Sequence, residues 1–523
     1  MARTEPLSIN FDDGFVSDES RFSLGRSTAY RMKDWIPQLD APLMKRGGWF
    51  YASPDLGTLG GTPSSITNVA YLPFANDGHA IALDVLGYAY QIKRFDGLGG
   101  ALITNTGDPV LSPSTAPFWH KTGTKAYGIV LAGLTQGHHG PNKYFDTTGA
   151  GAYQLQFLGG TPPDARMGFS WGDYLALGNY FDSNTGFSLV NFRLAFSAVG
   201  DPDSWTYAGT NSSTMDFPEE IIAGVPLRNA LLIFGWENVH IVTGDTPPPG
   251  GNLQRRTLFG GNGTFHPKSL ATWRDYAIWA NSSGVYQSDG ATLTDLTYDG
   301  GITNYYRQVV SGFNLSQSWV AAGGIYRDHY ILTITPPVGA SVTLVCDLQR
   351  KVWTEWTNVN SLSYAHKPSG PGTSLITGDE ELLFGVDALP RMAKTSTLWT
   401  PGITNGSLDA NGVTVQPVLE TPFYTMSNDA LKRIRNLYIK YDLRTTGSTP
   451  PTLRVSRTFD PGANPTYTAL TPDLLATTAM KRAPLGVRSR QLGVALKIAQ
   501  VNRSTTTSLY SIEAEGRPIE SSE

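Results

Sequence analysis

The chain lacks the disulfides that stabilise small extracellular domains and the long apolar segments that anchor membrane proteins. Its 523 residues include one cysteine, Cys346, which excludes an internal disulfide and a cysteine metal cage. No apolar run approaches the length that crosses a bilayer, and the opening segment MARTEPLSINFDD has no secretory apolar core. We therefore expect a chain that folds in a reducing cytoplasm and has no membrane span.

Helical periodicity and charge are also scarce. Almost no stretch repeats its apolar residues at helical spacing, and charged residues make up 16% of the chain. The 56 glycines and 34 prolines follow no collagen period and are typical of an all-β protein with many tight turns. The length exceeds one ordinary hydrophobic core, so more than one domain is expected.

The segment 269–297 contains the pattern around which the fold is organised. Short apolar strands near 273–280, 285–287 and 293–296 are separated by turns rich in Asn, Ser, Asp and Gly, which predicts an antiparallel meander. Strand–turn–strand units such as WRDYAIWA, YRDHYILTI and LRNALLIFG recur roughly six to eight times over about 330 residues. One such sheet cannot bury both faces alone, so we predict an all-β fold, a β-propeller of about six to eight blades.

Changes of composition divide the chain into three predicted parts. Residues 1–55 are an N-terminal arm that enters the first sheet, 56–398 the propeller, and 399–523 a basic, β-sandwich-like domain. In the arm, the segment KRGGW predicts a turn that packs on the first sheet. The segment PGITNGSLDANG marks the linker. Within the last domain we expect strands, and near 471–483 a short helix or a long loop.

Charge is distributed unevenly along the chain. The net charge is −4; the residues from Asn428 onward contribute +6 and the preceding part −10. A basic part on an acidic body favours contact with an acidic partner or nucleic acid, and the alternative is a solvated face. The basic candidates for such contacts are Lys45, Arg46, Lys432, Arg433, Arg435, Lys481, Arg482, Arg488 and Arg490.

Catalytic patterns are not evident. His138 and His139 are adjacent, so they cannot easily share a metal. The carboxylate pairs Glu219-Glu220 and Glu380-Glu381 are only sequence neighbours, and a glycosidase needs two carboxyl groups across a cleft. Cys346 follows two apolar residues and is expected in the core. We predict that the chain is not an enzyme and has no cofactor.

Four blocks together resemble the β-propeller virion proteins of tailed bacteriophages, above all the tail nozzle (tail hub) proteins of short-tailed phages. In chain order they are FDDGFVSDESRFSLGRSTAYRMKDW followed by KRGGW, FHPKSLATWRDYAIWANSSGVYQSDG, DLQRKVWTEW, and KRIRNLYIKYD with RAPLGVRSRQLGVALK and LYSIEAEGR. The resemblance spans nearly the whole chain through short, degenerate motifs.

The resemblance implies a structural role in a virion. Such proteins form a ring, usually sixfold, below the portal and adaptor, and the ring extends the conduit for DNA ejection. The expected partners are further copies of the chain, an adaptor or portal-proximal ring, tail fibres or spikes, and genomic DNA through transient, non-specific contacts. The protein would be made in the host cytoplasm and located in the tail.

Two other functions stay open from the sequence. A receptor- or glycan-binding propeller at the tail tip or baseplate predicts aromatic residues at a ligand-sized site in the blade loops. A propeller hydrolase is the third, although no acid–base or metal constellation supports it. The symmetry of the assembled protein distinguishes the tail ring from the receptor- or glycan-binding propeller.

Overall fold

The structure is a computed structural model of the whole chain. It describes residues 7–9, 11, 13–18, 28–38, 41–46, 49–59, 65–73, 79–92, 101–102, 117–122, 125–131, 142–145, 155–182, 188–206, 212–228, 230–311, 319–336, 340–368, 380–386, 389–395, 415, 417–421, 432–444, 452–458, 466–475, 479–489, 495–500 and 506–518.

The fold is all-β and contains a β-propeller, as predicted. The arm contributes five short strands, followed by a 3-10 turn at Leu56–Leu59. These strands are β1 (Leu7–Ile9), β2 (Arg31–Lys33), β3 (Trp35–Gln38), β4 (Ala41–Lys45) and β5 (Trp49–Tyr51).

The propeller strands of the described residues form seven antiparallel meanders. The first sheet contains β6 (Ile66–Leu72), β7 (His79–Asp84), β8 (Ala89–Ile92) and β9 (Ala101–Leu102). The second contains β10 (Phe118–Thr122), β11 (Lys125–Val130), β12 (Asn142–Phe145) and β13 (Leu155–Phe157). The third contains β14 (Asp164–Trp171), β15 (Tyr174–Asp182), β16 (Ser188–Ala198) and β17 (Asp201–Trp205), with β18 (Thr214–Asp216) beside β16. The next two contain β19 (Ile221–Leu227), β20 (Ala230–Gly235), β21 (Val239–Thr243) and β22 (Gln254–Phe259); and β23 (Ala271–Trp273), β24 (Tyr276–Ala280), β25 (Val285–Ser288) and β26 (Leu293–Asp295). The last two contain β27 (Val320–Tyr326), β28 (His329–Thr335), β29 (Val342–Asp347) and β30 (Val352–Trp356); and β31 (Tyr364–Lys367), β32 (Glu381–Gly385) and β33 (Met392–Thr395) with β5.

The meanders stand side by side in a closed ring. The first strand of each sheet contacts the next sheet, and β31 of the seventh sheet contacts β6 of the first. Apolar side chains fill the space between neighbouring sheets; for example, Val69 and Tyr90 of the first sheet share a cluster with Leu383 and Met392 of the seventh. Each sheet thus buries faces that it could not bury alone.

The ring is closed by a strand from the arm. Trp49, Phe50 and Tyr51 in β5 pair antiparallel with β33, so β5 is the outermost strand of the seventh sheet. The strand β5 thus lies in the seventh sheet, whereas the expectation that the arm leads into the first sheet stays a prediction. Hydrogen bonds between an early strand and the last sheet join the two ends of the propeller, which a turn packed on the first sheet could not do.

The central meander matches its predicted pattern, but two helices follow it. The strands β24 and β25 flank the predicted turn at 281–284. The helices α1 (Leu296–Asp299) and α2 (Thr303–Ser311) come next; Asp295 caps α1 by accepting hydrogen bonds from the backbone N–H groups of Thr297 and Tyr298. Such short helices give little periodic signal, so the sequence did not indicate them.

The C-terminal part forms two packed sheets. Its strands are β34 (Val418–Glu420), β35 (Lys432–Arg444), β36 (Thr452–Thr458), β37 (Thr468–Leu475), β38 (Ala479–Ser489), β39 (Ala495–Gln500) and β40 (Thr506–Pro518). A helix or long loop was expected near 471–483; its described residues, 471–475 and 479–483, belong to β37 and β38. Pairing of β37 with β36 and of β38 with β35 outweighs the weak local pattern.

The arm joins the propeller to the C-terminal sheets. Its strand β2 lies between β30, the outermost strand of the sixth propeller sheet, and β34, which produces one nine-stranded sheet. The strands β3 and β4 continue into the other C-terminal sheet, where β4 pairs with β40. One apolar core contains Leu332 and Leu344 of the propeller together with Leu419, Ile439 and Ile498. Within the described residues, no helix is long and apolar enough to span a membrane.

Candidate functional site

The predicted basic positions fall in two places. In the C-terminal sheet, the register places Arg433 of β35 opposite Arg488 of β38 on one side and opposite Arg517 of β40 on the other. Lys432 pairs with Ser489 at the next position. Three arginine positions thus lie side by side across neighbouring strands, and sequence reasoning did not include Arg517.

The other predicted positions in these strands are less regular. Arg435 lies where the register between β35 and β38 shifts, and Lys481 and Arg482 pair with Ile439 and Tyr438. Arg490 lies outside the described residues. Whether these residues contact a partner stays a prediction.

The arm residues Lys45 and Arg46 are buried, with 7% and 2% of their surface exposed. The Nε atom of Arg46 lies 2.6 Å from Oδ1 of Asp34, and its Nη2 donates to the carbonyl oxygen of Thr357 at 2.5 Å. Asp34 also accepts a hydrogen bond from the backbone N–H of Thr357 at 2.9 Å. This network ties the arm to the end of the sixth propeller sheet, so burial disfavours the predicted contact role of Arg46.

The first carboxylate pair has structural partners. Glu219 accepts hydrogen bonds from the backbone N–H groups of Glu237 and Asn238, and the Nε2 atom of His240 lies 2.9 Å from its Oε1. The adjacent Glu220 instead accepts from a side-chain amide at 2.9 Å. Glu219 thereby fixes the turn that follows β20.

The second carboxylate pair is divided between two environments. Glu380 accepts a hydrogen bond from the backbone N–H of Arg327 at 2.8 Å. Glu381 is buried and lies 3.2 Å from the ammonium of Lys367 and 2.8 Å from that of Lys394. Its charge is therefore compensated inside the seventh sheet.

Cys346 is a core residue, as the sequence predicts. It is fully buried in β29, and burial raises the pKa of its thiol well above the ordinary value. His138 and His139 lie outside the described residues. Among the residues that the structure describes, no three His, Cys, Asp or Glu side chains form a group that could hold a metal ion.

An aromatic pair stands out on the propeller surface. Trp236, in the turn between β20 and β21, is 48% exposed, and Phe265, in the segment after β22, is 47% exposed. Their ring centroids are 4.9 Å apart at an interplanar angle of 66°. The other described tryptophans are buried or half-buried, so this exposure is unusual for the protein. We call Trp236 and Phe265 the aromatic pair.

The two segments that hold the aromatic pair are bonded to each other. The backbone N–H of Gly263 donates to the carbonyl oxygen of Glu237 at 2.9 Å, and that of Thr264 donates to the carbonyl oxygen of Gly235 at 3.0 Å. A Cβ atom on Gly263 would lie 2.3 Å from the carbonyl oxygen of Gly235, so this contact requires glycine. The indole N–H of Trp279 donates to the carbonyl oxygen of Asn262, in the same loop as Phe265, at 2.8 Å.

The residues after Phe265 turn inward. The ring of His266 packs on Trp319 with centroids 3.7 Å apart, and burial lowers the pKa of His266 to about 4. Lys268 donates from its ammonium to the carbonyl oxygen of Thr67 at 2.8 Å, and burial lowers its pKa to about 8. Thr67 belongs to the first sheet and Lys268 precedes the fifth, which are not neighbours in the ring. This hydrogen bond therefore joins two sheets that are not neighbours in the ring.

Comparisons with known proteins give similarity to solved structures alone. No protein-family model matches the chain, and no curated protein matches it. The structure of U3-55K is 11% identical, with 64% of this chain and 97% of that one covered and a TM-score of 0.39. The exo-β-1,3-galactanase of Phanerochaete chrysosporium, solved with galactose, is 12% identical, with 90% and 100% covered and a TM-score of 0.28.

The second comparison corrects one prediction. The galactanase is an enzyme by its name, and this finding contradicts the prediction that the chain is not an enzyme, which is withdrawn. At this identity and TM-score the similarity assigns no reaction or substrate to this chain.

Proposed function

We propose that the chain is a structural protein of a bacteriophage tail, and that copies of it form a ring in the virion. The ring would act as a nozzle or hub that extends the DNA ejection conduit below the portal and adaptor. The proposal rests on sequence blocks that resemble tail nozzle proteins and that extend from the arm to the last strand.

The observation that carries the proposal is the nine-stranded sheet. Because β2 hydrogen-bonds to both β30 and β34, the arm, the propeller and the C-terminal sheets share a backbone network and one core. In the proposed ring, a subunit joined in this way would transmit force between its two ends. That property suits a ring held between an adaptor above and fibres or spikes below.

The uneven charge and the Lys268 contact support a conduit that lies between copies of the chain. The hydrogen bond from Lys268 to Thr67 joins two sheets that are not neighbours in the ring, which favours a conduit formed between copies over one along the propeller axis. The acidic body would repel DNA phosphates from such a wall. The basic C-terminal positions would contact the adaptor, a neighbouring copy or, transiently, the DNA.

Imaging of purified protein and of intact particles tests the proposal. We expect a closed ring of about six copies in line with the portal. A monomer or a trimer confined to the far tip of the tail would overturn the ring and favour the second candidate. Absence of the protein from particles would overturn both candidates.

The second candidate is a receptor- or glycan-binding propeller at the tail tip or baseplate. The exposed aromatic pair favours it, because aromatic residues at blade loops are what such a function requires. Soluble protein that binds host cells, together with a location at the tip, would support this candidate over the ring.

A further inference from the structure

We propose that Trp236 and Phe265 form a binding site for neutral oligosaccharides. The site goes beyond the proposed ring function and does not depend on it, since a ring subunit and a tip protein could both present it. The argument begins with the exposure of the two rings. A protein that leaves two large aromatic side chains half-exposed and in contact gives up hydrophobic stabilisation, and such patches commonly mark binding sites.

The aromatic pair is held rigidly before any ligand arrives. Loop–loop hydrogen bonds at Gly263 and Thr264 join the segments that carry the rings. The side-chain amide of Asn281 donates to Gly263 at 3.2 Å, and Thr264 donates through its hydroxyl to Ala280 at 2.8 Å. A site fixed in this way loses little conformational entropy when it binds, which is the property expected of a preorganised platform.

The chemistry beside the rings indicates the class of ligand. Aromatic faces carry partial negative charge and attract the C–H groups on the apolar side of a sugar ring. The exposed carboxylate of Glu237 and the side-chain amide of Asn262 lie in the same two loops and can bind sugar hydroxyls. These groups suit a ligand that combines an apolar face with hydroxyl groups.

The charges in the two loops disfavour anionic ligands. Glu237 is exposed, and the Glu219 carboxylate supports the turn beneath Trp236. Lys268 lies three residues after Phe265, but its ammonium is buried and donates to the carbonyl oxygen of Thr67 in the first sheet. Phosphate backbones and sulfated or sialylated glycans would therefore meet negative charge at the aromatic pair.

Titration of the full-length protein with cello-, laminari-, malto- and galacto-oligosaccharides tests the site. We expect saturable binding of at least one of them by calorimetry, with a change in tryptophan fluorescence. Trp236→Ala and Phe265→Ala should each weaken that binding by about tenfold or more, and Trp236→Tyr should retain most of it. Tyr298→Ala is the matched control, because Tyr298 is 72% exposed in α1, and it should bind as the wild type does.

Three results would overturn the proposal. One is absence of saturable binding to all four oligosaccharides, and another is equal binding by the wild type and Trp236→Ala. The third is binding restricted to sulfated or phosphorylated sugars. If no sugar binds and Trp236→Ala also abolishes assembly of the purified protein or of particles, the aromatic pair is instead a contact between copies. Because ring symmetry is measured separately, failure of the sugar site leaves the tail-ring proposal intact.

Discussion

At the scale of single residues, buried polar groups decide where the arm lies. Asp34 adopts a left-handed conformation with φ of 55° between β2 and β3, where the chain crosses from one C-terminal sheet to the other. Its carboxylate binds both Arg46 and Thr357. A buried ion pair therefore stabilises a backbone conformation that is more usual for glycine. Breaking such a pair leaves an uncompensated charge inside the protein.

Replacement of Arg46 should therefore destabilise the protein strongly. We expect Arg46→Ala to lower the free energy of unfolding by about 3–5 kcal/mol, measured by urea denaturation. Arg166→Ala is the control, because Arg166 is half-exposed and its carboxylate partner is 3.7 Å away; it should cost about 1 kcal/mol or less. Equal effects of the two substitutions would contradict the structural role of Arg46.

His266 should make stability depend on acid pH. Burial lowers its pKa to about 4 from an ordinary value of 6.5, so between these values the unfolded chain binds a proton that the folded protein does not. Stability is then lost as the pH falls from 6.5 to 4, by about 3 kcal/mol for this group. Urea denaturation at both ends of this range should show a smaller loss for His266→Phe than for the wild type. The same loss in both would show that other groups cause the acid sensitivity.

At the scale of elements, one short strand has an effect out of proportion to its length. The strand β5 covers the outer edge of the seventh sheet and joins the arm to the last part of the propeller. Without it, β33 would expose an unpaired edge and the ring would be held by packing alone.

Removal of the arm should therefore unfold or open the propeller. We expect a chain lacking residues 1–51 to show a much lower midpoint of thermal unfolding than the wild type, or no cooperative transition. A chain lacking residues 1–10 is the control, because it loses β1 and keeps β2 to β5. If both truncations unfold at the wild-type temperature, closure by β5 does not stabilise the ring.

At the scale of the whole molecule, the propeller and the C-terminal sheets behave as one structural unit. Leu419 of β34 is fully buried in the apolar core that also contains propeller residues. A cavity at this position removes contacts from both sides of the core, so its cost is not confined to the C-terminal part.

A substitution in the C-terminal sheet should consequently destabilise the propeller. We expect Leu419→Ala to lower the free energy of unfolding by about 2–5 kcal/mol and to leave a single calorimetric transition. Val418→Thr, at a half-buried position of the same strand, should have a much smaller effect. Two separate transitions, with the propeller one unchanged, would contradict the shared core.

The sequence determined the fold class and most strand positions, because turn residues and alternating apolar residues act locally. The meander at 269–297 and the buried Cys346 are examples, since their patterns depend on neighbours close in the chain. It also indicated that several similar sheets must stack, because one such sheet cannot bury both its faces.

Only the tertiary structure decided the features that join distant parts of the chain. The pairing of β5 with the seventh sheet, the insertion of β2 between β30 and β34, and the burial of Arg46 each depend on partners hundreds of residues away. The same holds for the aromatic pair, because exposure of Trp236 and Phe265 follows from how two loops meet. Local sequence carries propensities for strands and turns, whereas such long-range contacts are fixed by the packing of the folded chain.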